Sequence, residues 1–176
     1  MQRYTKPAML LHWLMALLIV AAFFLGLVMT GIHGITPTKL KYYSWHKWMG
    51  VTVLLLAVLR VLWRRANRPP PPVAGMSALQ HKAADAVHYL LYFLIFAVPV
   101  SGYLYTYAAG VPVVYLGLFQ LPAVIDPNPE WKPVLKEVHY WLTMTMAAIV
   151  SMHVLAALKH HFIDRDDVLK RMLPGA

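Results

Sequence analysis

His139 and His153 lie fourteen residues apart in a stretch with no ionised side chain between Glu137 and Lys159. A stretch of that length and composition reads as a membrane-spanning helix. On an α-helix fourteen residues advance about 21 Å and make almost a whole number of turns, so both imidazoles leave nearly one face, one towards each side of a bilayer. A polar ring at such depth is costly and marks a functional site by default. Two redox cofactors held in line by one helix would explain the pair.

Nine histidines are present, and their depths sort them. His12 lies six residues inside Lys6, and His153 lies six residues inside Lys159, which puts both at a common depth on one side. His46 and His139 open their spans from the other side at a matching shallow depth. Two depth-matched pairs, each drawn from two helices, are what two six-coordinate haems need. Any one of these rings could instead satisfy a buried carbonyl or serine. His88, six residues inside Lys82, is a rival that would replace His153 or His12. His160 follows His153 by seven residues on the same face, nearer water by about 10 Å. It would suit a proton donor to a quinone headgroup, or be an ordinary solvated histidine. His81, at the interface, is too shallow to share the iron of His12, and His33 and His161 carry no functional expectation.

Helices must position these rings. The chain has 176 residues, 60% hydrophobic composition and a mean hydropathy of +0.55, which is an integral membrane protein with room for four spans. The expected spans are 8–30, 42–63, 79–107 and 134–161. The uncharged centre of the second, Trp48 to Leu59, has only twelve residues, so Lys47 and Arg60 must snorkel from its ends. Pro99 and Gly102 should kink the third. The run Arg68-Pro69-Pro70-Pro71-Pro72 is a stiff linker, and Val113 to Pro122, too short to cross, would be an interfacial or re-entrant lid. The basic N-terminus precedes an apolar run too long for a signal peptide, so that run is expected to remain as the first span. The fold class is therefore an all-α membrane protein, a four-helix transmembrane bundle forming a single domain over residues 1–176.

Charge sets the orientation. Of the sixteen lysines and arginines, eleven fall on the side of the termini and the proline run, and five (Lys39, Lys41, Lys47, Lys132 and Lys136) on the other. That asymmetry places both termini in the cytoplasm. The net charge of +9 is thus a topological signal at the ends of apolar runs, with no nucleic acid expected. With no cysteine, disulfides, iron–sulfur clusters and c-type haem attachment are excluded, leaving haem held by axial side chains. Arg60 at the inner end, and Lys47 or Lys136 at the outer end, are candidates to pair with haem propionates. Snorkelling and the positive-inside rule would equally account for them.

Leu11-His12-Trp13, Trp45-His46-Lys47-x-x-Gly50, the His139…His153 spacing and the closing Ala157-Leu158-Lys159-His160-His161-Phe162 with Leu169-Lys170-Arg171-Met172-Leu173-Pro174 resemble bacterial cytochrome b561 over essentially the whole chain. The four-ligand plan is also similar to that of the cytochrome b subunits of formate dehydrogenases and nickel–iron hydrogenases. The resemblance implies two haem b groups in the bacterial inner membrane. Their axial iron ligands would be His12 and His153 on the cytoplasmic side, and His46 and His139 on the periplasmic side. It further implies electron exchange with ubiquinone and a periplasmic one-electron donor, superoxide or a redox protein. Superoxide:quinone oxidoreductase activity is the leading expectation, and the five lysines of the outer side would steer a small anion. They would equally solvate loops or contact phospholipid. An electron-transfer anchor for a partner dehydrogenase, without independent turnover, is the first alternative. A histidine-lined carrier of metal or haem is the second, although the spans hold no carboxylate to balance a cation.

Overall fold

The computed structural model describes residues 2–71, 73 and 75–173. Met1, Pro72 of the proline run and Pro174 of the closing motif lie outside the described residues.

Four long helices carry the fold: α1 Lys6–Gly31, α2 Pro37–Ala66, α3 Ala78–Ala108 and α4 Trp131–Lys159. Each begins where the local sequence either supplies partners for the free amides of a first turn or removes one of them with proline. Pro7 and Pro37 sit in the first turns of α1 and α2, and the Thr36 hydroxyl accepts from Lys39 N at 3.1 Å. Ser77 and Gln80 form a reciprocal capping box at the start of α3. Asn128 Oδ1 accepts from the amides of Glu130 and Trp131 ahead of α4. Pro99 is accommodated inside α3, which runs on unbroken to Ala108.

The helices extend the expected spans by one to five residues at most ends, because the caps lie in the polar flanks where hydropathy no longer reports. The segments Lys6–Gly31, Ala78–Ala108 and Trp131–Asp164 are long and apolar enough to cross a membrane. Their exteriors are apolar as well: Leu10, Leu17, Phe24, Phe93 and Leu155 are all exposed. Large apolar side chains facing outward along whole helices call for a lipid surround. Helix α2 is just as long but carries six lysines and arginines, so it is the most polar of the four.

Helix α1 packs along α2, α3 along α4, and α2 against α3. Met15, Val53, Ala57, Leu94, Ile95 and Met146 interlock at mid-height, with Ala57 and Leu94 almost fully covered. The proposed lid takes a form that hydropathy does not reveal. Val114–Tyr115 and Phe119–Gln120 pair as a two-stranded antiparallel hairpin. Leu116 (φ 52°) and Gly117 (φ 75°) make the left-handed turn between them, closed by Leu118 N donating to Tyr115 O. Trp48 Nε1 donates to Val114 O at 2.7 Å, Thr52 Oγ1 meets the Tyr115 hydroxyl at 2.9 Å, and Tyr103 donates to Pro122 O at 2.6 Å. The hairpin is thereby fixed to α2 and α3. Backbone amides that no single strand can satisfy in an apolar setting are paired here between two.

Candidate functional site

Helix α4 faces α1 and α2 across two levels, and the histidines stand at both. At the first, His46 of α2 and His139 of α4 have ring centroids 6.2 Å apart with planes at 89°. Their Nδ1 atoms are both engaged by backbone. His46 Nδ1 lies 3.0 Å from Ala22 O, and His139 Nδ1 lies 3.0 Å from Val98 O and 3.1 Å from Ser101 Oγ. A carbonyl only accepts, so Nδ1 carries the hydrogen in each ring and Nε2 keeps its lone pair. Ser101 Oγ itself donates to Val98 O at 2.8 Å, and Ser101 is a buried polar residue.

Two glycines make room for these rings. A Cβ at Gly102 would stand 2.9 Å from His139 Cε1 and 3.1 Å from Nδ1, so the residue has no space for a side chain unless the imidazole moves. A Cβ at Gly26 would stand 3.4 Å from His46 Cε1. Gly50, one turn after His46, borders open space, with nothing within 4 Å of a Cβ there.

That space is a cavity of about 310 Å³, lined by both rings and mostly by apolar side chains such as Phe23, Val51, Leu54 and Ala147. It falls at the lower end of the roughly 300–1,000 Å³ typical of small-molecule sites. Thr143, one turn beyond His139, also lines it, and its hydroxyl is buried with no hydrogen-bond partner among the described residues. An unpaired hydroxyl beside free imidazole nitrogens, in an otherwise apolar cavity, suits an apolar group with a polar edge.

At the second level three rings gather. His12 of α1 and His153 of α4 have centroids 6.3 Å apart with planes at 78°, and His88 of α3 lies 5.4 Å from His153. His12 and His153 are half-buried, whereas His88 is exposed. The interlocked apolar layer between the levels contains Met146, midway along α4 between His139 and His153.

The expected cations are placed as follows. Arg60 is half-buried; its Nη1 donates to Ala8 O at 3.3 Å, and its guanidinium stands 5.9 Å from the Tyr92 ring. Lys47 donates to Pro112 O at 3.3 Å beneath the hairpin, and Lys136 is exposed on α4. His160 departs from a plain solvated histidine. It opens a π-helical turn, His160–Asp164, and its Nδ1 is 2.6 Å from Asp166 Oδ2 and 3.3 Å from Asp164 Oδ2. Lys159 pairs with Asp164 at 2.6 Å in the same turn. His81 is half-buried in the first turn of α3, His33 is exposed, and His161 stacks edge-on against Phe162.

Ser101, Gly102, Thr143 and Asp166 were not singled out from sequence as partners of these rings. The Pro99-Val100-Ser101-Gly102 interruption of an apolar helix is the signal that could have marked the first two.

Apolar-sided helices with imidazoles gathered between them define a helical membrane protein built around interior histidines. The sequence matches the family model described as prokaryotic cytochrome b561 over residues 3–175, and the chain belongs to that family. It is 38% identical to cytochrome b561 homolog 2 of Escherichia coli (strain K12), over 98% of this chain and 92% of that protein. It is 30% identical to cytochrome b561 homolog 1 of the same organism, covering 99% and 98% of the two chains. It is 28% identical to a protein of Yersinia pestis named probable superoxide oxidase CybB, covering 98% and 97%. The chain is accordingly a membrane cytochrome of electron transfer, and the family implies b-type haem.

Proposed function

We propose that the chain is a di-haem cytochrome, with His46 and His139 holding one haem b and His12 and His153 the other. The carrying observation is the spacing of the rings. Two imidazoles on opposite sides of one iron, with metal–nitrogen distances of about 2.0 Å and each nitrogen about 1.1 Å from its ring centre, have centroids about 6.2 Å apart. The two pairs stand at 6.2 and 6.3 Å. At 5.4 Å the His88–His153 pair is too close for that arrangement, which favours His12 as the partner of His153. The carbonyl-held Nδ1 atoms of His46 and His139 leave the nitrogens that iron would take. Haem, when bound, would supply reversible one-electron chemistry.

The side chains do the rest. Backbone acceptors orient the rings, and the apolar cavity excludes water. Arg60, Lys47 and Lys136 supply positive charge at the two ends for propionates. The four helices would form one domain, a transmembrane bundle in the inner membrane with cytoplasmic termini, and α2 would snorkel its charges to both surfaces. The reaction is oxidation of a periplasmic one-electron donor with reduction of ubiquinone. With superoxide, two anions each give up one electron and leave as dioxygen, while the quinone takes both electrons and two protons. His160, seven residues beyond His153 and bonded to Asp166, would hand a proton to the quinone oxygen.

A reduced-minus-oxidised spectrum of the purified protein, with haem counted per polypeptide, tests the proposal. Two low-spin haems are expected, with one lost or turned high-spin in each of His46→Ala and His153→Ala. A single haem that survives both changes would overturn the ligand assignment.

A further inference from the structure

At the terminus-bearing end of the molecule, Arg3, Arg60, Arg64 and Arg68 converge on a concavity walled by Trp63 and Tyr92. Arg60 and Arg64 lie four residues apart on one face of α2, and Arg68 follows just beyond the extended cap residue Asn67. None of them meets a carboxylate among the described residues, and no acidic side chain lines the concavity. Arg60 is the propionate candidate of this end; the exposed Arg3, Arg64 and Arg68 around it still repel one another without an anion of their own, so the rim favours a further anion.

These guanidiniums are also held in place. Arg60 and Arg64 stand 5.9 and 5.6 Å from the Tyr92 ring, and Trp63 Nε1 donates to Thr5 Oγ1 at 2.8 Å. The C-terminal segment closes the rim: Tyr4 N donates to Arg171 O, and Arg171 Nη1 donates to Pro71 O at 2.6 Å. Arg171 keeps its Nε buried without an acceptor among the described residues. The open volume is about 50 Å³, several times the roughly 10–15 Å³ that one water needs. That is room for a compact group such as a tetrahedral oxyanion. On the same turns of α1 and α2, outside the concavity, Leu10, Leu59 and Leu62 are exposed and apolar.

We propose that this concavity binds the headgroup phosphate of an anionic phospholipid, whose acyl chains lie along the apolar faces of α1 and α2. Bidentate guanidinium forks match phosphate oxygens, and basic pockets between helices at the cytoplasmic surface are where such headgroups are captured. Exposed apolar side chains on the same turns of α1 and α2 favour a lipid over free phosphate. That the lipid is drawn from the cytoplasmic leaflet rests on the orientation proposed above; binding itself does not.

The test uses the purified full-length protein in neutral detergent. It is titrated with phosphatidylglycerol, phosphatidylcholine or inorganic phosphate at matched phosphate concentration. Retained lipid is read by native mass spectrometry, Tm by thermal melting, and haem by its spectrum in the same samples. Phosphatidylglycerol should be retained and raise Tm saturably. Arg64→Gln with Arg68→Gln should weaken that response at least tenfold, while Arg165→Gln, outside the concavity, should change it less than twofold. If the double variant does not purify, Arg68→Gln alone, at an exposed residue, serves in its place. An equal response to phosphatidylcholine, saturation by inorganic phosphate at the same concentration, an equal loss in Arg165→Gln, or loss of haem in the double variant would each overturn the proposal. Wild-type protein that retains phosphatidylglycerol but carries no haem would refute the di-haem function and leave the lipid site standing.

Discussion

Replacing Gly102 by alanine places a methyl group 2.9 Å from His139 Cε1 and 3.1 Å from its Nδ1. Ordinary van der Waals contact begins near 3.4 Å, so the imidazole must retreat by about 0.5 Å. It has little freedom to do so, because its Nδ1 is fixed between Val98 O and Ser101 Oγ. Overpacking of this kind costs about 1–3 kcal/mol, and a displacement of about 0.5 Å reaches the tolerance of a cofactor ligand. On the di-haem proposal, Gly102→Ala should therefore lower occupancy of the haem assigned to His139 or turn it high-spin, while the haem assigned to His153, a residue about 21 Å further along α4, stays unchanged. Gly26→Ala is the internal control, since its methyl would meet His46 at 3.4 Å and needs only a slight adjustment. Haem stoichiometry, the visible spectrum of each haem and a redox titration of both variants form the assay. A Gly102→Ala protein with full occupancy, a wild-type spectrum and unchanged potentials would refute the claim that this contact sets the position of His139.

Three further perturbations follow from named contacts. Ser101→Ala removes an acceptor beside His139 Nδ1–H; the weaker ligand should raise the outer midpoint potential by about 20–65 mV, the equivalent of one net hydrogen bond. Potentiometric titration reads it, and an unchanged or lowered potential contradicts it. Alanine at both Lys47 and Lys136 should slow reduction by superoxide and flatten its dependence on ionic strength; rates that keep both would sink the steering idea. Trp48→Phe deletes the donor to Val114 O, a net loss of about 1 kcal/mol, so residues 111–121 should exchange amide hydrogen several-fold faster, and unaltered protection there would show that the hairpin is held by other contacts.

Much of this molecule could be read along the chain because helix geometry is local. Absence of charge over twenty residues or more is enough to place α1, α3 and α4, and α2, with only twelve uncharged residues at its centre, needs the added reading that Lys47 and Arg60 snorkel from its ends. The fourteen-residue interval is enough to put His139 and His153 on one face of α4, since the 3.6-residue period holds whatever surrounds the helix. Family membership was legible for the same reason: its motifs are short runs in a fixed order.

Which ring faces which depends on the rotation and lean of each helix against its neighbours. Sequence left His88 and His12 as competitors at equal depth, and packing sets one ring at 6.3 Å and the other at 5.4 Å from His153. The partners of His139 come from α3, some forty residues back, where Pro99 interrupts the amide ladder and Ser101 and Gly102 follow. The segment after α3 looked only too short to cross. Its hairpin form depends on a left-handed turn at Leu116-Gly117 and on α2 side chains more than sixty residues away. His160 acquired its carboxylate because a π-helical turn swings the chain back on itself, an event no regular period predicts. Local periodicity thus determined which residues share a helix face, while the rings, carbonyls and cavity that those faces meet were decided by contacts between elements far apart in the chain.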